Sequence, residues 1–264
     1  MKAPIFIGIG SQKGGVGKST IAELLASILY YEMDFNVLVV DCDAAQNSFY
    51  NLRVRDREVI DSGSPIGLSL YAKFQSYGKP AYTIIRAAEH VAIERAKGYC
   101  TEASDREEPY DYVLFDMPGR CDTTESLALA LSMDYILSPI EADIQSLVAS
   151  MTYASAIKSV QDKVPNVKLR ELYLFWNKID ERVRTDAIED YIVIMEEEGI
   201  ACLESRLFYR KKFSRESGEA RDLNEIFRCT LTAPKDTQRL GTGLNEFLDE
   251  LKTKGIIIRK TKTN

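Results

Sequence analysis

Short apolar runs recur along the chain: Ile5-Phe6-Ile7-Gly8-Ile9, Val37-Leu38-Val39-Val40, Tyr112-Val113-Leu114-Phe115, Tyr135-Ile136-Leu137 and Leu172-Tyr173-Leu174-Phe175-Trp176. Between them the apolar spacing changes to a helical period. Ile21, Leu24, Leu25, Ile28 and Leu29 fall at i, i+3, i+4, i+7 and i+8, the stripe of a helix lying on a sheet. Ile188, Tyr191, Ile192 and Met195 predict a helix starting near Thr185, and Leu244, Phe247, Leu248 and Leu251 predict the last one. Strands that read as unbroken apolar runs, alternating with amphipathic helices, predict an α/β fold. Its sheet is expected to be doubly wound and mostly parallel, with helices on both faces. Residues 53–111 carry the weakest pattern, and Thr101–Pro109 within them reads as an exposed loop.

The 264 residues can bury a large core and show no internal repeat, so a single domain spanning 1–264 is expected. Met1–Pro4 lead straight into the first run, leaving no room for a signal peptide or an N-terminal DNA-binding module. No apolar run is long enough to cross a bilayer, which predicts a soluble protein without membrane insertion. The five cysteines, Cys42, Cys100, Cys121, Cys202 and Cys229, are odd in number and contain no C-x-x-C pair. They argue against a disulfide framework or a zinc site and suit a reducing cytoplasm. Lone His90 and single Trp176 read as structural residues.

A net charge of −6 repels DNA and anionic membranes, so binding to either requires a local basic patch. One candidate is Arg206, Arg210, Lys211, Lys212 and Arg215; the other is Lys252, Lys254, Arg259, Lys260 and Lys262. Either is equally compatible with a solvated surface or a frayed terminus.

The chemistry concentrates in Lys13-Gly14-Gly15-Val16-Gly17-Lys18-Ser19-Thr20, placed between the first predicted strand and the first predicted helix. Glycines let successive backbone N–H groups turn toward a polyphosphate at the positive end of a helix. Lys18 neutralises phosphate charge and the Ser19 hydroxyl suits Mg²⁺. The generic phosphate loop has glycine at the position of Gln12, and this chain has a second lysine, Lys13, beside it. In a parallel sheet ligands gather beyond the carboxyl ends of strands, which singles out Asp41, Asp116 and Asn177 by position. Asp43 follows Asp41 closely, where it reads either as a water-orienting carboxylate or as a helix cap or turn residue.

The K-G-G-x-G-K-[ST] form resembles the deviant Walker A loop of the ParA/MinD family of dimerising ATPases, which are P-loop NTPases. Asp116-Met117-Pro118-Gly119 is similar to that family's Walker B and switch region, and Asp41-Cys42-Asp43-Ala44-Ala45-Gln46 to its D-x-D-P-Q signature, here lacking the proline and with Gln46 displaced by one residue. Asn177-Lys178 resembles the pair whose asparagine reads the adenine edge. The resemblance implies ATP and Mg²⁺ as cofactors. Gly14, Gly15, Val16, Gly17, Lys18, Ser19, Thr20 and Asn177 would hold the nucleotide. Ser19, Asp43 and Asp116 would serve the metal, while Lys13, Lys18 and Asp43 would act in hydrolysis. It also implies a homodimer when ATP is bound, with Lys13 reaching the partner's phosphates. Slow hydrolysis raised by a partner protein, and nonspecific DNA binding with Arg210, Lys211 and Lys212 as candidate contacts, complete the expectation.

The chain also resembles ParA-like proteins of Bacteroides-type conjugative transposons, often called TraA, in Asp43–Gln46, Arg228-Cys229-Thr230-Leu231 and the run from Pro234 to Leu240. Three functions stay open at this point. The first is a ParA-type switch, at times on the nucleoid, serving partition or conjugative transfer. The second is a metabolic P-loop enzyme of the synthetase or amidoligase kind. The third is a MinD-type membrane switch, which would want an amphipathic C-terminal helix or an insertion of Ile256-Ile257-Ile258.

Overall fold

The computed structural model describes residues 3–43, 47–119, 123–164, 167–182 and 185–258. Seven strands form one parallel sheet with helices on both faces, in the order β3-β2-β4-β1-β5-β6-β7. They are β1 (Ile5–Ile9), β2 (Val37–Asp41), β3 (Thr83–Arg86), β4 (Tyr112–Asp116), β5 (Tyr135–Ile140), β6 (Glu171–Ile179) and β7 (Ala201–Phe208). The apolar runs are thus strands, as their continuity requires: β1, β2, β4 and β5 are buried at every position. By its contacts the chain divides into two compact units, one of Met1–Pro4, Ser19–Asp116 and Arg210–Arg239, the other of Ile5–Lys18, Met117–Tyr209 and Leu240–Asn264.

In the first unit, β2 pairs with β4 and with β3, and Asp41 stands in register with Asp116 at the strand ends. Helix α1 (Lys18–Ser27) buries Ile21, Leu24 and Leu25 and widens into a π turn over Ile28–Glu32, closed by Met33 N–H on Ile28 O at 3.0 Å. Helices α2 (Ser48–Asp61), α3 (Pro65–Gln75) and α4 (Glu89–Asp105) fill the stretch with the weakest sequence pattern. The loop expected over Thr101–Pro109 is corrected by α4, which continues through Asp105. Its polar outer face disguised it, and it ends only where Glu107 takes a positive φ of 62°. His90 lies exposed on this helix.

Residues 210–239 are mostly irregular, with a tight turn at Lys211–Ser214 and a short helix, α8 (Asp236–Arg239). Polar bonds dock them. The fully buried Asp56 carboxylate accepts from Ser217 Oγ at 2.5 Å and from Thr230 N and Oγ1, both at 2.7 Å. Arg53 donates to Thr230 Oγ1 at 2.7 Å and Thr230 O at 3.1 Å, and Ser27 Oγ donates to Cys229 O at 2.8 Å. Leu70, Ile226, Cys229 and Leu231 form a small apolar core beside them.

In the second unit, β5 pairs with β1 and β6, and β6 with β7 through two register irregularities. Helices α5 (Thr124–Leu131) and α6 (Ile144–Gln161) flank β5 in sequence, and α7 (Thr185–Glu197) starts where its periodicity predicts. Helix α9 (Leu244–Thr253) buries Leu244, Phe247, Leu248 and Leu251, with Phe247 and Phe175 ring centroids 4.9 Å apart. Trp176 is fully buried in β6, a structural position.

Candidate functional site

The loop leaves β1 at Gly10, whose N–H bonds Leu137 O at 3.2 Å, and runs into α1 at Lys18. Gly15 and Gly17 have φ of +77° and +94°, open to glycine and strained for other residues. At Gly17 a Cβ would also lie 2.5 Å from Asn177 Nδ2. Asn177 Nδ2 donates to Val16 O at 2.7 Å, and Lys178 Nζ donates to Gly15 O. Two successive carbonyls are therefore held by side chains of β6. In a trans peptide the N–H points opposite to its C=O, so the N–H groups of Val16 and Gly17 face the other way. That is the cradle an oxyanion needs.

Lys18 is buried, its Nζ 3.4 Å from Ser11 Oγ, and Ser11 Oγ in turn donates to Lys13 O at 2.8 Å. A Cβ on Gly119 would sit 3.4 Å from Lys18 Nζ, so the Met117-Pro118-Gly119 segment passes close to the lysine. Lys13 turns to the rim, where its Nζ meets Asp143 Oδ2 at 3.1 Å and Glu141 Oε2 at 3.7 Å. Glu141 also takes Lys178 Nζ at 2.9 Å. Burial nudges the Asp143 carboxyl up, but the Ser146 N–H and the Lys13 ammonium outweigh it and leave it below its ordinary value. Glu141 and Asp143 were not singled out from the sequence, because nothing in their local spacing ties them to a loop more than a hundred residues away; Ser11, which was not singled out either, lies two residues before Lys13.

In the first unit Ser19 and Thr20 lie half-buried in the first turn of α1, and Asp41 and Asp116 end their strands almost fully buried. Burial raises the Asp41 carboxyl above its ordinary range, against the Tyr50 N–H that bonds its Oδ2 at 3.0 Å. Asp43 is half-buried just beyond β2. Ala44, Ala45 and Gln46 lie outside the described residues, as do Cys121, Arg259, Lys260 and Lys262. Asn177, expected just past a strand, lies inside β6, which runs on to Ile179. Among the described residues no trio of His, Cys, Asp or Glu is placed to grip a metal directly.

The basic residues 210–215 are not equivalent. Lys212 Nζ donates to Gln238 O at 2.7 Å and lies 5.8 Å from the Phe227 ring; burial first, then Arg210 and Arg215, lower its pKa. Lys211 and Arg215 are exposed, and Arg210 is half-buried. Near the end of the chain Ile256 and Ile257 are buried, so neither is offered to a lipid surface, and α9 spends its apolar face on the core. No helix among the described residues is long and apolar enough to cross a membrane.

A family model described as the CobQ/CobB/MinD/ParA nucleotide binding domain matches residues 7–264. An uncharacterized protein of Methanocaldococcus jannaschii, MJECL24, is 27% identical over 198 residues, 66% of this chain and 73% of that protein. Among solved structures, an aspartate-to-alanine variant of Cyanothece McdA in complex with ATP is 18% identical, covering 99% of this chain and 100% of that one with a TM-score of 0.58. The ParA family ATPase from Chlorobium tepidum is also 18% identical, covering 93% of this chain and 99% of that one with a TM-score of 0.57. A loop built to hold phosphate on this sheet, and a family model spanning nearly the whole sequence, lead to one assignment: the chain belongs to the CobQ/CobB/MinD/ParA family of nucleotide-binding domains.

Proposed function

We propose that this chain is a ParA-type ATPase switch that dimerises on ATP and binds duplex DNA nonspecifically, in partition or conjugative transfer of a plasmid or mobile element. The observation that carries this reading is the state of Lys13. In the single chain it rests on two carboxylates at the rim, with its side chain one-third exposed. Exposed pairs of this kind contribute about 0–1 kcal/mol, little enough for a polyphosphate in a second copy to displace them. ATP then acts as a bridge between copies, and loss of the γ-phosphate releases it.

In this reading Gly14–Thr20 hold the phosphates, with Lys18 neutralising charge, and Asn177 borders the base. Ser19, Asp43 and Asp116 serve the magnesium, which when bound draws charge off the phosphates. Asp43 orients the attacking water. DNA contact is assigned to Arg210 and Lys211, with exposed Arg215 added; Lys212 has a carbonyl to hold within its own segment. A partner protein that accelerates hydrolysis completes the switch. The synthetase-like alternative shares the family name and the loop, but no feature of the described residues favours it over the switch.

The test is binding of random-sequence duplex DNA by Asp43→Ala, expected to hold the ATP state, with ATP or ADP across a salt series. Tight binding with ATP alone, falling steeply with salt, supports the switch. Absence of binding with either nucleotide turns the reading toward small-molecule chemistry.

A further inference from the structure

Glu23 is a buried carboxylate that the nucleotide-site motifs leave unused. It lies four residues after Ser19 on α1, on the same helical face. Its residue exposure is 1%. Arg228 holds it in an unusual way. Nε and Nη2 of the guanidinium both converge on Oε2, each at 2.6 Å, where a fork normally takes both oxygens. Oε1 is buried without a hydrogen-bond partner.

The charged groups around it are of both signs. Glu23 feels Arg228, Asp116 and Glu216. Arg228 is shared with Glu216 through Nη1 at 3.2 Å, and Glu216 takes Arg55 at 2.9 Å. A buried carboxylate with one oxygen unpartnered is costly unless a donor reaches it, and burial is also why the Glu23 carboxyl is pushed up to about 8 here, with Asp116 adding to the effect. A hard, hydrated divalent cation fits: its bound waters donate hydrogen bonds, and an orphaned carboxylate oxygen accepts them.

We propose that Glu23 is a positioning residue for the magnesium that arrives with the nucleotide, its Oε1 accepting from the water shell on the Ser19 side while Arg228 fixes Oε2. The inference rests on the reading of residues 13–20 as a nucleotide site. Arg228 in turn fastens residues 210–239 to α1, so one guanidinium serves both the dock and the carboxylate.

The experiment is calorimetric binding of ADP with excess Mg²⁺ and again with EDTA, on the wild-type chain, Glu23→Gln and the double variant Glu23→Leu with Arg228→Met. The expected result is ADP affinity in EDTA within about twofold of wild type and a magnesium-dependent gain reduced about tenfold in both variants, the usual size for an outer-shell ligand. The double variant removes the buried ion pair whole and guards against misfolding of the single one. An undiminished magnesium gain in a folded variant overturns the proposal and leaves Glu23 a purely structural partner of Arg228. If the wild type binds ADP under neither condition, the nucleotide-site reading itself fails, and the inference with it.

Discussion

The rim of the phosphate loop and the dock of residues 210–239 are both held by charges, yet they are built for opposite purposes. At the rim Lys13, Glu141, Asp143 and Lys178 are all partly exposed. At the dock Asp56, Glu23 and Thr230 are almost fully buried, and the guanidinium groups that hold Thr230 and Glu23, those of Arg53 and Arg228, are largely so. Water competes for the first set and not for the second. An exposed pair contributes about 0–1 kcal/mol and can exchange partners, whereas breaking a buried one costs about 3–5 kcal/mol because a charge is left uncompensated. The same residue types therefore make a latch in one region and a rivet in the other.

That contrast can be broken most directly at the dock. Asp56→Ala removes three hydrogen bonds at once, including one to a backbone N–H, and is expected to lower unfolding free energy by about 3–5 kcal/mol in urea titration. A loss below about 1 kcal/mol would show the dock to be no firmer than the rim. Gly243→Ala is a backbone counterpart in the other unit. Its Cβ would meet Arg206 O at 1.8 Å from a φ of +79°, so a loss of several kcal/mol or failure to fold is expected, read by circular dichroism on heating.

Gly17→Ala probes the loop behind the rim. The new methyl displaces Asn177 and strains the backbone, so nucleotide affinity should drop by an order of magnitude or more, while global stability falls only about 1–2 kcal/mol. Unaltered affinity would show that the cradle does not depend on the Asn177 contact. The smallest effect on stability belongs to the rim itself. The pair Glu141→Gln and Asp143→Asn keeps the Asp143 cap on Ser146 N in amide form, so stability should change by less than about 1 kcal/mol. Freed from its carboxylates, Lys13 should then favour the ATP-dependent dimer at lower protein concentration, measured by light scattering. A weaker dimer would mean that the carboxylates themselves take part in the contact.

Much of the fold was legible because central parallel strands must be apolar on both faces. β1, β2, β4, β5 and most of β6 stand out in the sequence for that reason. β3 and β7 did not, since an edge strand has one neighbour and tolerates mixed residues: Thr83–Arg86 is only four residues long, and Glu204 and Arg206 interrupt β7. The glycine-rich loop between β1 and α1 was legible, as Gly15 and Gly17 answer to positive backbone angles that are local properties. Its supports were not.

The sequence by itself determined the parallel α/β sheet, the loop between β1 and α1, and the carboxylates at the strand ends, because each follows from local spacing and backbone stereochemistry. Tertiary structure decided that Lys178 and Asn177 hold the loop carbonyls, that Lys13 rests on Glu141 and Asp143, and that Arg228 finds Glu23 across 205 positions of chain. Such pairings depend on which buried charge finds a counter-charge once water is excluded, and that is settled only when the distant segments have packed.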